Sequence, residues 1–199
     1  MINMDSIPFN IIIEGLDNCG KDTQIKLLHS FLVSNFPTIP NQIFHYSAVP
    51  NISNKTLEEY SKTLYNDAFI MMKNNYENVT YRNFIYNRLH LGEFVYSPLY
   101  RNYDGSYIFD IEKKFKDYYF FKNHLYLIVF IDNVDNLISR DYGLSHSIDP
   151  IQKENEIKLF EEAFDRSMIF NKIIINIDSL SIEQVHNHVL NFIIGDQYA

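Results

Sequence analysis

Apolar residues along this chain fall into two patterns. Short runs dominated by apolar and aromatic residues, bounded by polar ones, occur at Phe9 to Ile13, Asn83 to Tyr86, Leu125 to Ile131 and Ile173 to Ile177. These read as strands buried on both faces. A weaker fifth run spans Gln42 to Ser47. Between the runs, apolar positions recur at helical spacing. In Lys21 to Ser34, the residues Ile25, Leu28, Phe31 and Leu32 share one face, and Lys55 to Lys73, Pro150 to Phe170 and Ser181 to Ile194 also predict helices. A short helical segment follows Leu125 to Ile131. Apolar strands alternating with helices predict a parallel sheet covered on both faces. No repeat, low-complexity linker or change of composition divides the chain, so a single α/β domain over residues 1–199 is expected.

The first strand leads into IIIEGLDNCGKDTQ, residues 11–24. Strand, then Gly15-Leu16-Asp17-Asn18-Cys19-Gly20-Lys21, then an amphipathic helix is the context a phosphate-binding loop requires. Gly15 and Gly20 can adopt backbone conformations closed to other residues, which lets the loop turn its N–H groups around phosphate oxygens. The start of the helix adds electrostatic attraction. Lys21 would bridge β- and γ-phosphates, making ATP the expected ligand. The residue after the lysine, normally a magnesium-binding Ser or Thr, is Asp22, while Thr23 keeps a hydroxyl one position later.

Composition narrows the partners. With 46% hydrophobic and 21% charged residues the chain is neither disordered nor membrane-spanning, and its longest apolar runs fall short of the ~20 residues that cross a bilayer. A net charge of −8 argues against nucleic-acid or anionic-membrane partners, which need a broad basic surface. A pocket with a few aimed cations still admits an anionic substrate. The single cysteine, Cys19, and the absence of a leader pattern at the N-terminus predict a cytoplasmic protein. The seven histidines show no zinc spacing, and His186 and His188 point to different helix faces.

Glu14-Gly15-Leu16-Asp17, Gly20-Lys21 and Thr23-Gln24 together resemble the thymidylate kinase family, whose loops read EGLD or EGxD followed by GK[ST]TQ. A second stretch agrees. YNRLHLGEFVY, residues 86–96, follows a strand where thymidylate and deoxynucleoside kinases carry Asp-Arg, then Ser or Glu, then Ala-Tyr. Its longer form HLGEFVYSPLYR is similar to thymidylate-kinase-like proteins of bacteriophages, which implies a phage source. The two motifs cover about thirty residues of this sequence. The fold implied is a P-loop kinase three-layer sandwich, a five-stranded parallel sheet with helices on both faces.

The resemblance also implies roles. Lys21 and the backbone of residues 15–23, including Gly15, Asn18, Cys19, Gly20, Asp22 and Thr23, would hold the phosphates of ATP. Asp17 matches the loop carboxylate that meets the acceptor's sugar, and Arg88 the arginine that grips the acceptor phosphate. Tyr96 matches the tyrosine beneath the deoxyribose, which disfavours a 2′-hydroxyl. Phe69 would stack on the base. Arg101 would add positive charge near the acceptor, and Glu93 would bind the acceptor sugar or orient Arg88. His90 is either a donor to phosphate or base, or a structural residue. Arg140 begins the expected lid, residues 140–153, whose other cation is Lys153.

Two departures from the pattern stand out. Asp22 replaces the magnesium-binding hydroxyl, and Asn87 replaces the carboxylate before Arg88. Magnesium takes hard oxygen ligands and often only one or two carboxylates, so Asp22 can supply the carboxylate that Asn87 cannot. The expected activity is transfer of the γ-phosphoryl of ATP, with magnesium, to a deoxynucleoside monophosphate, dTMP or a modified pyrimidine relative. A deoxynucleoside kinase is the nearest alternative. It needs a base at the end of the second strand, where Phe44 to Pro50 contains no acid and only His45 could serve. A kinase of modified bases in DNA and a non-catalytic nucleotide-binding protein are the remaining readings. Relatives in this family imply a homodimer as a further expectation.

Overall fold

A computed structural model describes residues 8–46, 54–77, 82–143 and 145–195. Five strands, β1 (Asn10–Gly15), β2 (Asn41–His45), β3 (Asn83–Asn87), β4 (Leu125–Ile131) and β5 (Asn171–Asn176), form one parallel sheet in the order β2-β3-β1-β4-β5. The three central strands are almost wholly buried, which is why their sequences are apolar on both faces. The edge strands β2 and β5 are partly exposed, and their sequence signals are correspondingly weaker. Ser47, the end of the expected second strand, lies outside the described residues.

The helices are α1 (Lys21–Asn35), α2 (Asn54–Glu77), α3 (Leu91–Tyr96), α4 (Tyr107–Phe115), α5 (Tyr119–Asn123), α6 (Val134–Ser139), α7 (Pro150–Arg166) and α8 (Ile182–Ile194). A π-helical turn, Ser97–Arg101, continues α3. The crossover from β1 through α1 to β2 runs towards one sheet edge. The crossovers from β2, β3 and β4 each run towards the other. Right-handed connections in opposite directions place their helices on opposite faces. Accordingly α1 packs with α8, while α2 meets α4 and α5, and α3 and α6 meet α7.

Two expected helix ends shift. The last long helix before β5 stops at Arg166, short of Phe170, because Lys172 donates from Nζ to the carbonyls of Phe164 (2.6 Å) and Ser167 (2.8 Å) and closes its end. α2 extends to Glu77, beyond Lys73, and the Lys73–Glu77 pair (2.5 Å) spans the added turn. α4 has no counterpart in the sequence reading, although it buries Ile108, Phe109, Ile111 and Phe115 along one stripe. Among the described residues no helix is long and apolar enough to cross a membrane.

In this topology the chain leaves β1 and β3 in opposite directions, so a crevice opens at the carboxyl ends of the central strands. Gly15, Asn87 and Ile131 mark those ends.

Candidate active site

The loop after β1 is built on one close approach. Gly15 has φ 130°, and a Cβ there would lie 2.1 Å from the carbonyl oxygen of Phe130 on β4. No other residue fits. Asn18 (φ 64°) and Gly20 (φ 77°) complete the turn into α1, whose first N–H groups lack intrahelical partners. Lys21 is buried and donates from Nζ to the carbonyl of Gly15 (2.9 Å) and to that of Leu16. Phosphate oxygens are stronger acceptors than these carbonyls for an ammonium. Cys19 is buried and donates to the Leu16 carbonyl at 2.8 Å, and burial pushes its thiol pKa up, so it acts as a packing residue.

The loop meets the motif after β3. Arg88 stands at φ 64°, with its N–H bonded to the Ile13 carbonyl at 2.9 Å. Glu14, buried to 1% exposure, accepts from the N–H groups of Leu89 and Leu91, both at 2.9 Å, and so clamps the turn that presents Arg88. Burial raises the Glu14 pKa, opposed by His90 and by these N–H groups. The Arg88 guanidinium pairs with Asp17 at 2.7 Å. Burial works against its charge, but Asp17 and Tyr96 more than offset this, and its pKa lies above the ordinary arginine value. Its Nε is buried without a hydrogen-bond partner, as is the hydroxyl of Tyr96, which burial keeps firmly in the phenol form.

Two clefts adjoin here. The first, about 410 Å3, is lined by Asp17, Asn18, Cys19, Gly20, Lys21, Asp22, Thr23, Arg88, Arg140 and Tyr142. It continues into an apolar recess of about 300 Å3 bounded by Ile177, Leu180, Ile182 and Val185. The second is a tighter pocket of about 70 Å3 whose walls include Gly15, Arg88, Glu93, Tyr96 and Arg101, with Leu57, Ser61 and Tyr65 of α2 opposite. Arg88 belongs to both.

Asp22 and Asn87, the two departures from the family pattern, touch. Asn87 donates from Nδ2 to Asp22 Oδ1 at 2.5 Å, while its own Oδ1 is buried without a partner. No cluster of three or more His, Cys, Asp or Glu that could hold a metal occurs among the described residues. The Asn87 amide turns its nitrogen to Asp22 and is not among the residues lining the first cleft, whereas Asp22 and Thr23 line it and would be the oxygen ligands for a magnesium ion there. This hard oxygen set suits the ion when nucleotide phosphate and water complete its shell.

Three sequence expectations are corrected, and the two readings of His90 narrow to one. Phe69 is fully buried, stacked on Phe115 at 5.5 Å and edge-on to His90, and it is core; α2 presents Leu57, Ser61 and Tyr65 to the pocket instead. His90 is fully buried against Glu112 at 2.6 Å, which leaves only its structural alternative. Glu93 orients Arg101, not Arg88. It is buried, and accepts from Arg101 (2.6 Å), Tyr103 (2.6 Å), Tyr107 (2.7 Å) and Tyr65 (3.4 Å), so its lone pairs are filled by protein and the Arg101 charge is neutralised locally. Lys153 is no lid cation. Asp149 caps α7 at Ile151 and Gln152, so the connection ends there, and Lys153 is buried in an ion pair with Glu156 at 2.8 Å.

Arg140 lines the first cleft with one Nη bonded to Asp132 at 2.6 Å. His146, from the connection between α6 and α7, lines the pocket without any signal in the sequence. Its place depends on chain folding over a distance of about fifty residues from Tyr96 and Arg101.

No family model matches the sequence, and no curated protein matches it either. Solved structures do. A thymidylate kinase from Ehrlichia chaffeensis superposes with a TM-score of 0.65 at 14% identity, over 93% of this chain and 98% of that one. A thymidylate kinase from Candida albicans gives 0.63 at 14% identity, over 94% and 91%. A deoxyadenosine kinase from M. mycoides, solved with the products dCMP and dCDP, gives 0.55 at 19% identity, over 92% and 97%. The chain has the P-loop kinase fold of these proteins.

Proposed function

We propose that this chain, with the fold of the nucleotide kinases, transfers the γ-phosphoryl group of ATP to a deoxynucleoside monophosphate, with dTMP or a modified deoxypyrimidine monophosphate as acceptor. One observation carries the reading. Arg88 lines both the phosphate-loop cleft and the neighbouring pocket, which puts one guanidinium where a donor's terminal phosphate and an acceptor's phosphate would meet. Its unpaired, buried Nε is a donor that an anionic acceptor would satisfy.

Each residue then has a task. ATP would lie with its base in the apolar recess and its phosphates along the loop, where Lys21 exchanges loop carbonyls for phosphate oxygens. Arg140 approaches the same phosphates from the far wall. Asp17 pairs with one Nη of Arg88 from the donor-cleft side, and its contact with the acceptor sugar is what the family resemblance implies. Tyr96 places its ring and free hydroxyl beside that sugar. Asp22 and Thr23 would hold a magnesium ion, which, when bound with ATP, would neutralise phosphate charge. Phosphoryl transfer needs mainly positioning and charge compensation, and these groups supply both.

The deoxynucleoside-kinase reading keeps one supporting observation. His45 ends β2 with Nδ1 3.4 Å from the Asn87 amide, beside the site. No acid occupies residues 41–46, while Ser47 to Pro50 lie outside the described residues. The test is transfer of labelled γ-phosphate from ATP to a panel of deoxynucleosides and their monophosphates. Monophosphates should be labelled and nucleosides should not. Labelling of nucleosides alone would move the assignment to the His45 reading, and labelling of none would remove the kinase proposal.

The role of Asp22 has its own test. Asp22→Ala should bind ATP with an affinity no longer raised by magnesium, read by calorimetry with and without the ion, and should lose magnesium-dependent turnover. Undiminished turnover would sink the assignment.

A further inference from the structure

One wall of the acceptor pocket has no part in the proposal above. His146 lines the pocket with Arg88, Tyr96 and Arg101. Its ring lies nearly flat on Tyr100, with centroids 4.8 Å apart and planes at 17°, and its centroid is 5.2 Å from that of Tyr96. The Tyr100 platform is itself anchored. Its hydroxyl donates to Glu156 at 2.5 Å, and Glu156 is buried in the ion pair with Lys153. On its other side, the neighbouring residue Ser145 contacts the phosphate loop, with its hydroxyl 3.0 Å from the Asn18 amide. That amide also donates to Asp141 at 3.1 Å, and Asp141 accepts from Ser145 at 3.0 Å. An imidazole with an exposed outer face is thus held from two directions, against a ring fixed to α7 and by a tie to the phosphate loop.

We infer that His146 is a specificity-determining residue of the acceptor site, an aromatic wall that the Tyr100–Glu156–Lys153 anchor and the Ser145–Asn18 tie hold against the acceptor nucleotide. The inference rests on the reading of this pocket as the acceptor site. Its contribution comes from the flat ring, since Arg88 already supplies a cation there and Arg101 is spent on Glu93. The wall faces the acceptor and not ATP, because His146 lines the tight pocket and is absent from both donor clefts. The Ser145 tie brings the same segment within reach of the donor loop.

The experiment compares the full-length chain with His146→Ala and His146→Phe. Acceptor binding is measured by calorimetry without ATP, over the same nucleoside and monophosphate panel, and steady-state constants are measured for both substrates. His146→Ala should raise the acceptor KM and dissociation constant about 3- to 10-fold, the worth of a lost ring contact, with the ATP KM unchanged. His146→Phe should restore most of the loss, which a merely structural role for the imidazole nitrogens would not allow. Unchanged acceptor affinity in the alanine variant would overturn the inference alone. So would a rise in both KM values together, or failure of phenylalanine to rescue. A wild-type protein that binds no acceptor from the panel would overturn the acceptor reading and this inference together.

Discussion

On the proposed function, an Arg88→Ala variant should show kcat/KM for the acceptor lowered by about 10²- to 10³-fold, the range seen when one aimed charge-stabilising donor is removed from a reacting centre. The geometry makes the loss large. The backbone of Arg88 sits in the left-handed region, held by the Ile13 carbonyl at 2.9 Å, and the following turn is clamped by Glu14. The guanidinium is fixed by Asp17 at 2.7 Å before any substrate arrives. An arginine ordered in advance spends little conformational freedom at the moment of reaction, so its whole effect falls on bound phosphate. Truncation would also leave Asp17 without its partner in a buried position. Arg88→Lys keeps the charge but loses the planar fork, and should recover no more than about tenfold of the loss. Steady-state kinetics with each substrate varied in turn would check this. Activity within the ordinary scatter of surface variants would remove Arg88 from the reacting centre and with it the observation that carries the proposed function.

The second large effect is on stability. Lys153 and Glu156 form an ion pair at 2.8 Å with side chains 1% and 0% exposed. Breaking a buried pair from one side leaves a charge without solvent or partner, so Glu156→Ala or Lys153→Ala should each destabilise the chain by about 3–5 kcal/mol. Removing both charges differs in kind. Lys153→Met with Glu156→Leu keeps volume and discards both desolvation costs, and should return much of the lost stability, although the Tyr100 hydroxyl then loses its acceptor. Urea unfolding of the three variants measures the pattern directly. Single variants costing about 1 kcal/mol or less would mean that the pair behaves like an exposed one. The cycle also separates stability from the acceptor wall, because Tyr100 loses its anchor in the double variant while the fold is largely restored.

The central strands were legible because burial on both faces writes itself into consecutive residues. Leu125 to Ile131 can hardly be anything else, and Leu125–Ile131 is the strand observed. Edge strands are half-solvated, so Asn41–His45 alternates weakly and Asn171–Asn176 begins two residues earlier than its apolar run. The phosphate loop was legible for another reason. Its function depends on backbone conformation over a few adjacent residues, and glycines at positions 15 and 20 are the local chemistry of that conformation. Arg88, Tyr96 and Asp17 were placed by resemblance to known motifs. The structure brings them around one crevice.

Phe69 and Glu93 show where such reading ends. The sequence of α2 permits several rotations about its axis. The choice is made by α4 and α5, whose Phe115 and Phe121 pack on Phe69 and turn Leu57, Ser61 and Tyr65 towards the pocket. Glu93 lies five residues after Arg88 and eight before Arg101, and both spacings allow a partner. The π-helical turn carries Arg101 back over Glu93, with three tyrosines completing its shell. Lys153 likewise looks like a free cation until α7 folds it against Glu156 within the core.

By itself the sequence determined the sheet and the phosphate loop, because each follows from periodicity or from the conformational limits of neighbouring residues, while resemblance to known motifs supplied the remaining site residues. Only the tertiary structure decided which charges are spent on one another and which remain for a substrate. Arg101 and Lys153 are committed to buried carboxylates, while Arg88 keeps a buried donor unpaired between two clefts. That division is set by elements far apart in the chain meeting in a medium too poorly solvated to leave a charge alone, and no local pattern encodes such a meeting.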